Sequence, residues 1–264
     1  MSLLRIVLFR FHGHFDVCAN HLALLRLFNP HDQVFGLYGG PEKHFAQASR
    51  LPLDHVWAIP IDDSYWKWVN GDLAVRWWYR EVGEKLRFDI LHLIEWDLLL
   101  LDNIAQRFRH VRDGVAVSYL APLGSEADTW NWVAPVRGRW ELQLLLDHVG
   151  KLCGHRPRPM KCIFGAVAFS RAFLDRYAAT DVPGLCNDEV RVPLFAQAFG
   201  MPVVDTGLAG SHYTASDSQF IGASEVLELY ATGVSAFHPV KESVDEAAIR
   251  RIMAQRAVAS ELPR

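Results

Sequence analysis

Phe88-Asp89-Ile90-Leu91-His92-Leu93-Ile94-Glu95-Trp96-Asp97 is the stretch on which the fold turns. Its apolar run is continuous rather than alternating, the pattern of a strand buried on both faces in a parallel sheet covered by helices. The strand delivers two carboxylates, two residues apart, at its C-terminal end. Residues i and i+2 of a strand point the same way, so Glu95 and Asp97 are expected to face one point. In open α/β sheets that edge is where ligands bind. Two carboxylates aimed at one point repel unless a cation lies between them or one holds a proton. A hard divalent ion such as Mg2+ or Mn2+ resolves the repulsion and keeps positions open for phosphate oxygens. The plainer alternative is that Asp97 caps a helix over 98–108 and Glu95 is solvated.

Outward from this strand, the chain alternates. Residues 4–11 form another apolar run, interrupted by Arg5 and Arg10. Helical spacing follows over 17–28, closed by Asn29-Pro30. Strands are expected over 33–38, 54–59, 89–94, 114–120, 161–170, 201–205 and 234–238. Helices are expected over 42–50, 70–85, 98–108, 139–151, 170–177, 187–199 and 242–256. Residues 121–135 are polar, aromatic and Pro-containing, which suggests a long loop on the ligand face. This β-α-β-α-β rhythm defines an α/β domain with right-handed crossovers. No repeat or linker divides the chain, so one domain over 1–264 is the simplest account.

Composition narrows the function classes. Half of the 264 residues are hydrophobic and 12% are aromatic, which excludes disorder over most of the length. A formal net charge of −3 without a basic stripe gives no reason to expect nucleic acid. No run of about 18 apolar residues suggests a membrane span. The first residues turn charged too soon for a signal peptide. Cys18, Cys153, Cys162 and Cys186 form no C-x-x-C pair and read as reduced thiols, so a cytoplasmic location is expected. Nine tryptophans are many for this length, and flat amphipathic rings suit proteins that hold sugars or nucleobases.

In this setting Glu95-Trp96-Asp97 resembles the metal-binding acidic motif (D-x-D and its E-x-D variants) of glycosyltransferases with the GT-A fold. The order of features over about residues 3–241 is similar to theirs. The resemblance implies a single Rossmann-like domain with a mostly parallel central sheet flanked by helices. Residues about 1–120 would form the nucleotide-binding half, about 121–241 the acceptor half, and 242–264 a C-terminal helix and tail. It implies transfer of a sugar from a nucleoside diphosphate sugar to a glycan, lipid-linked or small-molecule acceptor. The cofactor would be Mn2+ or Mg2+, held by Glu95, Asp97 and a late histidine, His238 in Ala236-Phe237-His238-Pro239-Val240-Lys241. A histidine among the ligands suits Mn2+ somewhat better.

By the same similarity Lys241 would meet the diphosphate, and Gly165 and Ala166 would wall the donor sugar. Asp188 or Glu189, in Asn187-Asp188-Glu189, would supply the base of an inverting reaction. A helix start decorated with favourable negative charge explains those two acids equally well. The chain departs from the common motif in having Glu first, which lengthens the reach of that carboxylate.

Other constellations admit two readings. His12 and His14 follow the first strand; H-x-H there resembles the zinc site of amidohydrolase-type barrels, although the later His and Asp residues do not fall at successive strand ends. On the transferase reading, Arg10 or His12 would meet base or phosphate. Asp72 would bind ribose or base and Arg76 the diphosphate, or both would serve a helix start and a solvated face. Trp130-Asn131-Trp132 suggests either an acceptor surface or a lid pinned into the core. A catalytically idle nucleotide- or carbohydrate-binding module on the same fold remains the second class of function. No G-x-G-x-x-G, Walker or G-x-S-x-G motif is present.

Overall fold

A computed structural model of the protein describes residues 3–124, 130, 132–133, 136–208, 212 and 220–261. In chain order, β1 (Arg5–Phe11), α1 (Phe15–Phe28), β2 (Gln33–Tyr38), α2 (Phe45–Ala48) and β3 (His55–Ala58) open the fold. Next come α3 (Ser64–Val69), α4 (Gly71–Glu81), β4 (Ile90–Glu95), β5 (Leu99–Leu100) and α5 (Ile104–Arg107). β6 (Val115–Pro122), α6 (Val136–Cys153), β7 (Met160–Ser170), α7 (Arg171–Ala179) and α8 (Asp188–Ala198) follow. The last elements are β8 (Val203–Asp205), α9 (Ala223–Thr232), β9 (Ala236–Phe237) and α10 (Glu246–Glu261).

The central sheet has seven strands in the order β3-β2-β1-β4-β7-β6-β8. All run parallel except β7, which is antiparallel to both its neighbours. The α/β class and the mostly parallel sheet expected from continuous apolar strands are what the structure has. Ile6, Leu8, Leu91, Leu93, Val115 and Val117 bury one face against Trp78, Tyr177 and Phe195 of α4, α7 and α8. Val7, Phe9, Ile90 and Ala116 bury the other against Cys18, Leu22 and Leu25 of α1 and Ile104 of α5. Strands covered on both sides cannot alternate polar and apolar residues, which explains their composition.

Two charges interrupt β1, and each has a structural reason. The Arg5 guanidinium donates to the Phe108 and Val111 carbonyls at 3.0 and 2.9 Å and lies 2.9 Å from Nε2 of buried His92. Burial, then the Arg5 charge, push the His92 imidazole down to about 3, so it is neutral and its Nε2 accepts from Arg5. Arg10 belongs to the site described below.

The 98–108 helix expected from sequence is a correction. Leu99 and Leu100 pair antiparallel with Phe237 and Ala236, and only Ile104–Arg107 is helical. A leucine run buried on all sides carries no period that separates strand from helix. Helix α3 precedes α4 as a separate element, and α9 was not foreseen; Val226 and Tyr230 of α9 pack with Phe237 and Ile249 in a third apolar cluster.

Asp72 and Arg76, expected to meet a ligand, direct their polar atoms to partners within the fold. Asp72 and Arg191 have wholly buried side chains 2.6 Å apart. Arg191 also donates to the Leu185 and Cys186 carbonyls and to Asn70 Oδ1, and the Tyr177 hydroxyl donates to Asp72 at 2.5 Å. Arg76 donates to the carbonyls of Tyr177, Ala178 and Thr180, closing the end of α7. Among the described residues no helix is long and apolar enough to cross a membrane.

Removing one partner of a buried, hydrogen-bonded ion pair strands the other charge. Asp72→Ala is therefore expected to cost about 3–5 kcal/mol of stability, read as a lowered denaturant midpoint with an unchanged slope.

Candidate functional site at the switch point between β1 and β4

The chain leaves β1 toward β2 on one side and returns to β4 on the other. The carboxyl ends of β1 and β4 therefore diverge into a crevice, the topological switch point where open α/β sheets bind ligands. Arg10 and Glu95 stand opposite each other in the last register of that pair. Beyond them lie the loop His12-Gly13-His14 and the turn Glu95-Trp96-Asp97, closed by the Leu98 amide donating to the Glu95 carbonyl at 3.0 Å. His14, at the start of α1, adopts the left-handed conformation with φ 52°, an uncommon state for a residue with a Cβ. Its ring stacks on Trp96 at 4.4 Å and 2°, and His12 meets the same indole edge-on at 5.4 Å. Both histidines are exposed. Gly40, in the loop after β2, sits so close beneath that a Cβ there would collide with the His12 carbonyl and the Tyr38 ring.

Asp97 and His238, distant in sequence, are joined by the β5–β9 ribbon. The Val240 amide donates to the Asp97 carbonyl at 2.8 Å, and the His238 amide donates to the His212 carbonyl at 2.9 Å. His238 Nε2 then lies 3.6 Å from Asp97 Oδ1. Buried His21 braces this corner, with Nδ1 2.9 Å from the Trp96 carbonyl and Nε2 3.2 Å from that of Glu242. Burial works against ionisation of Asp97. The His238 hydrogen bond and charge, with Lys241 behind them, outweigh it and hold the carboxyl below the usual carboxylate range.

The three residues expected to share a metal separate into two pairs. β4 ends at Glu95, so the i, i+2 rule does not extend through the turn to Asp97. Glu95 accepts instead from Arg10 Nη1 at 2.6 Å. Burial raises the Glu95 carboxyl and Arg10 draws it part of the way back. No group of three or more His, Cys, Asp or Glu side chains suited to a metal occurs among the described residues. Asp97 and His238 nonetheless could serve as two ligands of one ion: their 3.6 Å separation exceeds the roughly 3 Å between neighbouring positions of an octahedral ion bonded at about 2.0–2.1 Å by an amount a side-chain rotation closes. A divalent ion held by two protein ligands would keep its remaining positions open for water or other oxygen ligands.

Arg10 ties this corner to a second acidic one. Its Nη2 donates to the Lys67 carbonyl and, at 3.4 Å, to that of Trp68, at the end of α3. Asp188 accepts from the Gly71 amide at 2.9 Å. A Cβ at Gly71 would come within 2.5 Å of Arg10 Nη1 and 2.8 Å of Asp188 Oδ2, so only glycine admits this approach. Asp188 is buried, and desolvation and the nearby Asp72 push its carboxyl well up.

Glu189 is half-buried. It accepts from the Asn187 amide group at 3.1 Å and the Phe164 backbone amide at 3.4 Å, and the Trp132 side chain also hydrogen-bonds it. Burial outweighs these bonds and raises Glu189 to about 7. Of the two acids, Glu189 is the one poised to exchange a proton near neutrality. Gly165 and Ala166 lie buried in β7, Ala166 opposite Ile94 and one step from the acidic turn.

The barrel that the zinc alternative resembles is absent among the described residues. The sheet is open and seven-stranded rather than an eight-stranded barrel. The rings of His12 and His14 stand 6.1 Å apart at right angles, and His14 is stacked on Trp96. Of the proposed lid or acceptor loop, residues 125–129, 131 and 134–135 lie outside the described residues. Sequence reasoning missed the ribbon that brings His238 to Asp97 and the clamp made by Arg10. An arginine in a strand otherwise buried on both faces was the available signal for the second.

No family model and no curated protein matches the chain. Among solved structures it is similar to the galactosyltransferase LgtC, solved in complex with donor and acceptor sugar analogues, with 12% identity and a TM-score of 0.35. The match covers 66% of this chain and spans 60% of that protein's length.

The raised Glu189 carboxyl has a thermodynamic consequence. Its folded-state value of about 7 exceeds the ordinary 4.5, so the fold favours the protonated form. That contribution is complete below the ordinary value and is lost as pH rises through 7. Glu189→Gln is expected to gain stability relative to the natural protein between pH 4 and pH 8, by up to about 3 kcal/mol, in paired denaturant titrations at the two pH values. An equal difference at both would contradict the assignment.

Proposed function

We propose that the crevice at the β1–β4 switch point takes a nucleoside diphosphate sugar and that the protein transfers its sugar to an acceptor hydroxyl. The observation that carries this reading is the Asp97–His238 pair, 3.6 Å apart at the carboxyl edge of β4, beside the exposed rings of His12 and His14, which pack on buried Trp96. A carboxylate and an imidazole held together there suit capture of a cation with its phosphate, and rings beside them suit a nucleobase. Mn2+ or Mg2+, when bound by Asp97 and His238, supplies charge neutralisation to the diphosphate.

The chain's own residues do the rest. Lys241, close enough to lower the Asp97 carboxyl, adds positive charge on the side where the leaving diphosphate develops negative charge. Arg10 holds Glu95 out of the coordination sphere and fixes the end of α3. Gly165 and Ala166 have no side-chain bulk beyond a methyl, so a sugar can approach β7 closely. Glu189 takes the proton of the attacking hydroxyl, and the reaction then inverts the anomeric centre. Asp188, buried against Gly71 and Arg10, positions the start of α8 rather than meeting substrate.

Incubation with a panel of nucleotide sugars and Mn2+ is expected to release free sugar and nucleoside diphosphate. Asp97→Ala is expected to raise the Mn2+ concentration for half-maximal turnover by at least roughly the 10–100-fold typical of losing an outer-shell partner, and to lower turnover with it. Unchanged turnover in that variant rejects the metal role, and binding of UDP or GDP without turnover points to the idle binding module. With an acceptor present, the rate is expected to rise with pH through about 7 as Glu189 ionises. Glu189→Gln should remove that rise and lower kcat by about 10²–10⁴-fold.

A further inference from the structure

Helix α3 presents two aromatic rings to solvent. Its N-terminus is capped by Asp63, which accepts from the Trp66 amide at 3.0 Å. One side is committed to the fold: Trp66 stacks on Trp77 at 5.1 Å and 16°, and Lys67 is buried with its ammonium 3.4 Å from the Gly40 carbonyl. On the other side Tyr65 is 61% and Trp68 56% exposed. Neither ring is covered by the fold, so both are open to a ligand. The rings do not stand alone. Trp68 meets Tyr65 at 6.1 Å and 71°, and Trp132 at 4.9 Å and 65°. An indole nitrogen only donates, so Trp132 donates to Glu189, the group that titrates near 7. The corner is also rigid, because Arg10 holds the Lys67 and Trp68 carbonyls to the end of β1.

We infer that Tyr65, Trp68 and Trp132 form a subsite for a carbohydrate, with a pyranose ring laid on the exposed Trp68 indole and its hydroxyl rim toward Glu189. A pyranose has an apolar C–H face that matches an indole and equatorial hydroxyls that match a carboxylate at the edge of the ring. A purely apolar ligand would take the remaining solvent from the half-buried Glu189 carboxyl and offer it no donor in exchange, which is costly. A nucleobase would stack as well, but the exposed His12 and His14 rings beside Asp97 are the place where a base would lie next to its own diphosphate. As the acceptor subsite, this inference rests on the transfer reading above and narrows its acceptor to a saccharide.

The test is a glycan array of di- and trisaccharides, probed with the full chain in the absence of metal and nucleotide. Isothermal titration with the strongest binder follows, for the natural protein, Trp68→Ala and Trp68→Phe. Binding by the natural protein is expected, about tenfold weaker in Trp68→Ala and largely restored in Trp68→Phe. A side chain this exposed should leave the thermal midpoint of both variants in place. The inference is overturned if the array gives no binder, if Trp68→Ala binds as the natural protein does, or if uridine displaces the saccharide competitively. Saccharide binding through Trp68 in a protein that hydrolyses no nucleotide sugar would overturn the transfer reading and leave the subsite standing. Turnover of nucleotide sugars with saccharide binding indifferent to Trp68 would do the reverse.

Discussion

The guanidinium of Arg10 is the constraint around which the candidate site is arranged. It stands at the last position of β1 that pairs with β4, where a charged side chain needs partners to be tolerated. It finds them on three separate elements: Glu95 at the end of β4, the Lys67 and Trp68 carbonyls at the end of α3, and the electrostatic field of Asp188 at the start of α8. An arginine suits this task because its five donors sit in a fixed planar fork, which orients several acceptors at once. Gly71 is the steric counterpart of the clamp, since any side chain there would displace either Arg10 or Asp188.

One consequence is a division of labour among acids that look alike in sequence. Glu95 neutralises Arg10, whereas Asp97, two residues later, is left to His238. Asp188 is buried against a backbone amide, whereas Glu189, its neighbour, keeps partial contact with solvent and titrates near neutrality. In each pair the difference comes from burial and from the donor that reaches the carboxylate, the two factors that dominate carboxyl pKa values in proteins. The same division separates Asp72, wholly buried against Arg191, from the ligand-binding role its position before a helix suggested.

The site is assembled from two kinds of support. The sheet supplies the stiff part: β1 and β4 register residue against residue, and their ends define the crevice. The β5–β9 ribbon supplies the other, two residues on each side, carrying His238 across the molecule to Asp97. The strained His14 and the stacked Trp96 lie between these supports, and left-handed backbone at a non-glycine residue tends to persist where surrounding contacts over-determine it.

Much of the layered architecture was legible in the residues themselves. Continuous apolar runs ending in polar turns bury both faces in a helix-covered sheet, and β1, β2 and β4 follow from that alone. The acidic turn at the edge of β4 was legible for the same reason, because strand ends carry the polar residues that the interior excludes. Other features depended on contacts between distant segments. Leu99-Leu100 is a strand only because Ala236-Phe237 arrives beside it, and Glu95 turns to Arg10 only because the sheet places them in register. Local pattern records which residues avoid water; it does not record which partner a buried charge finds. That choice was made by tertiary structure, through distances between residues far apart in the chain.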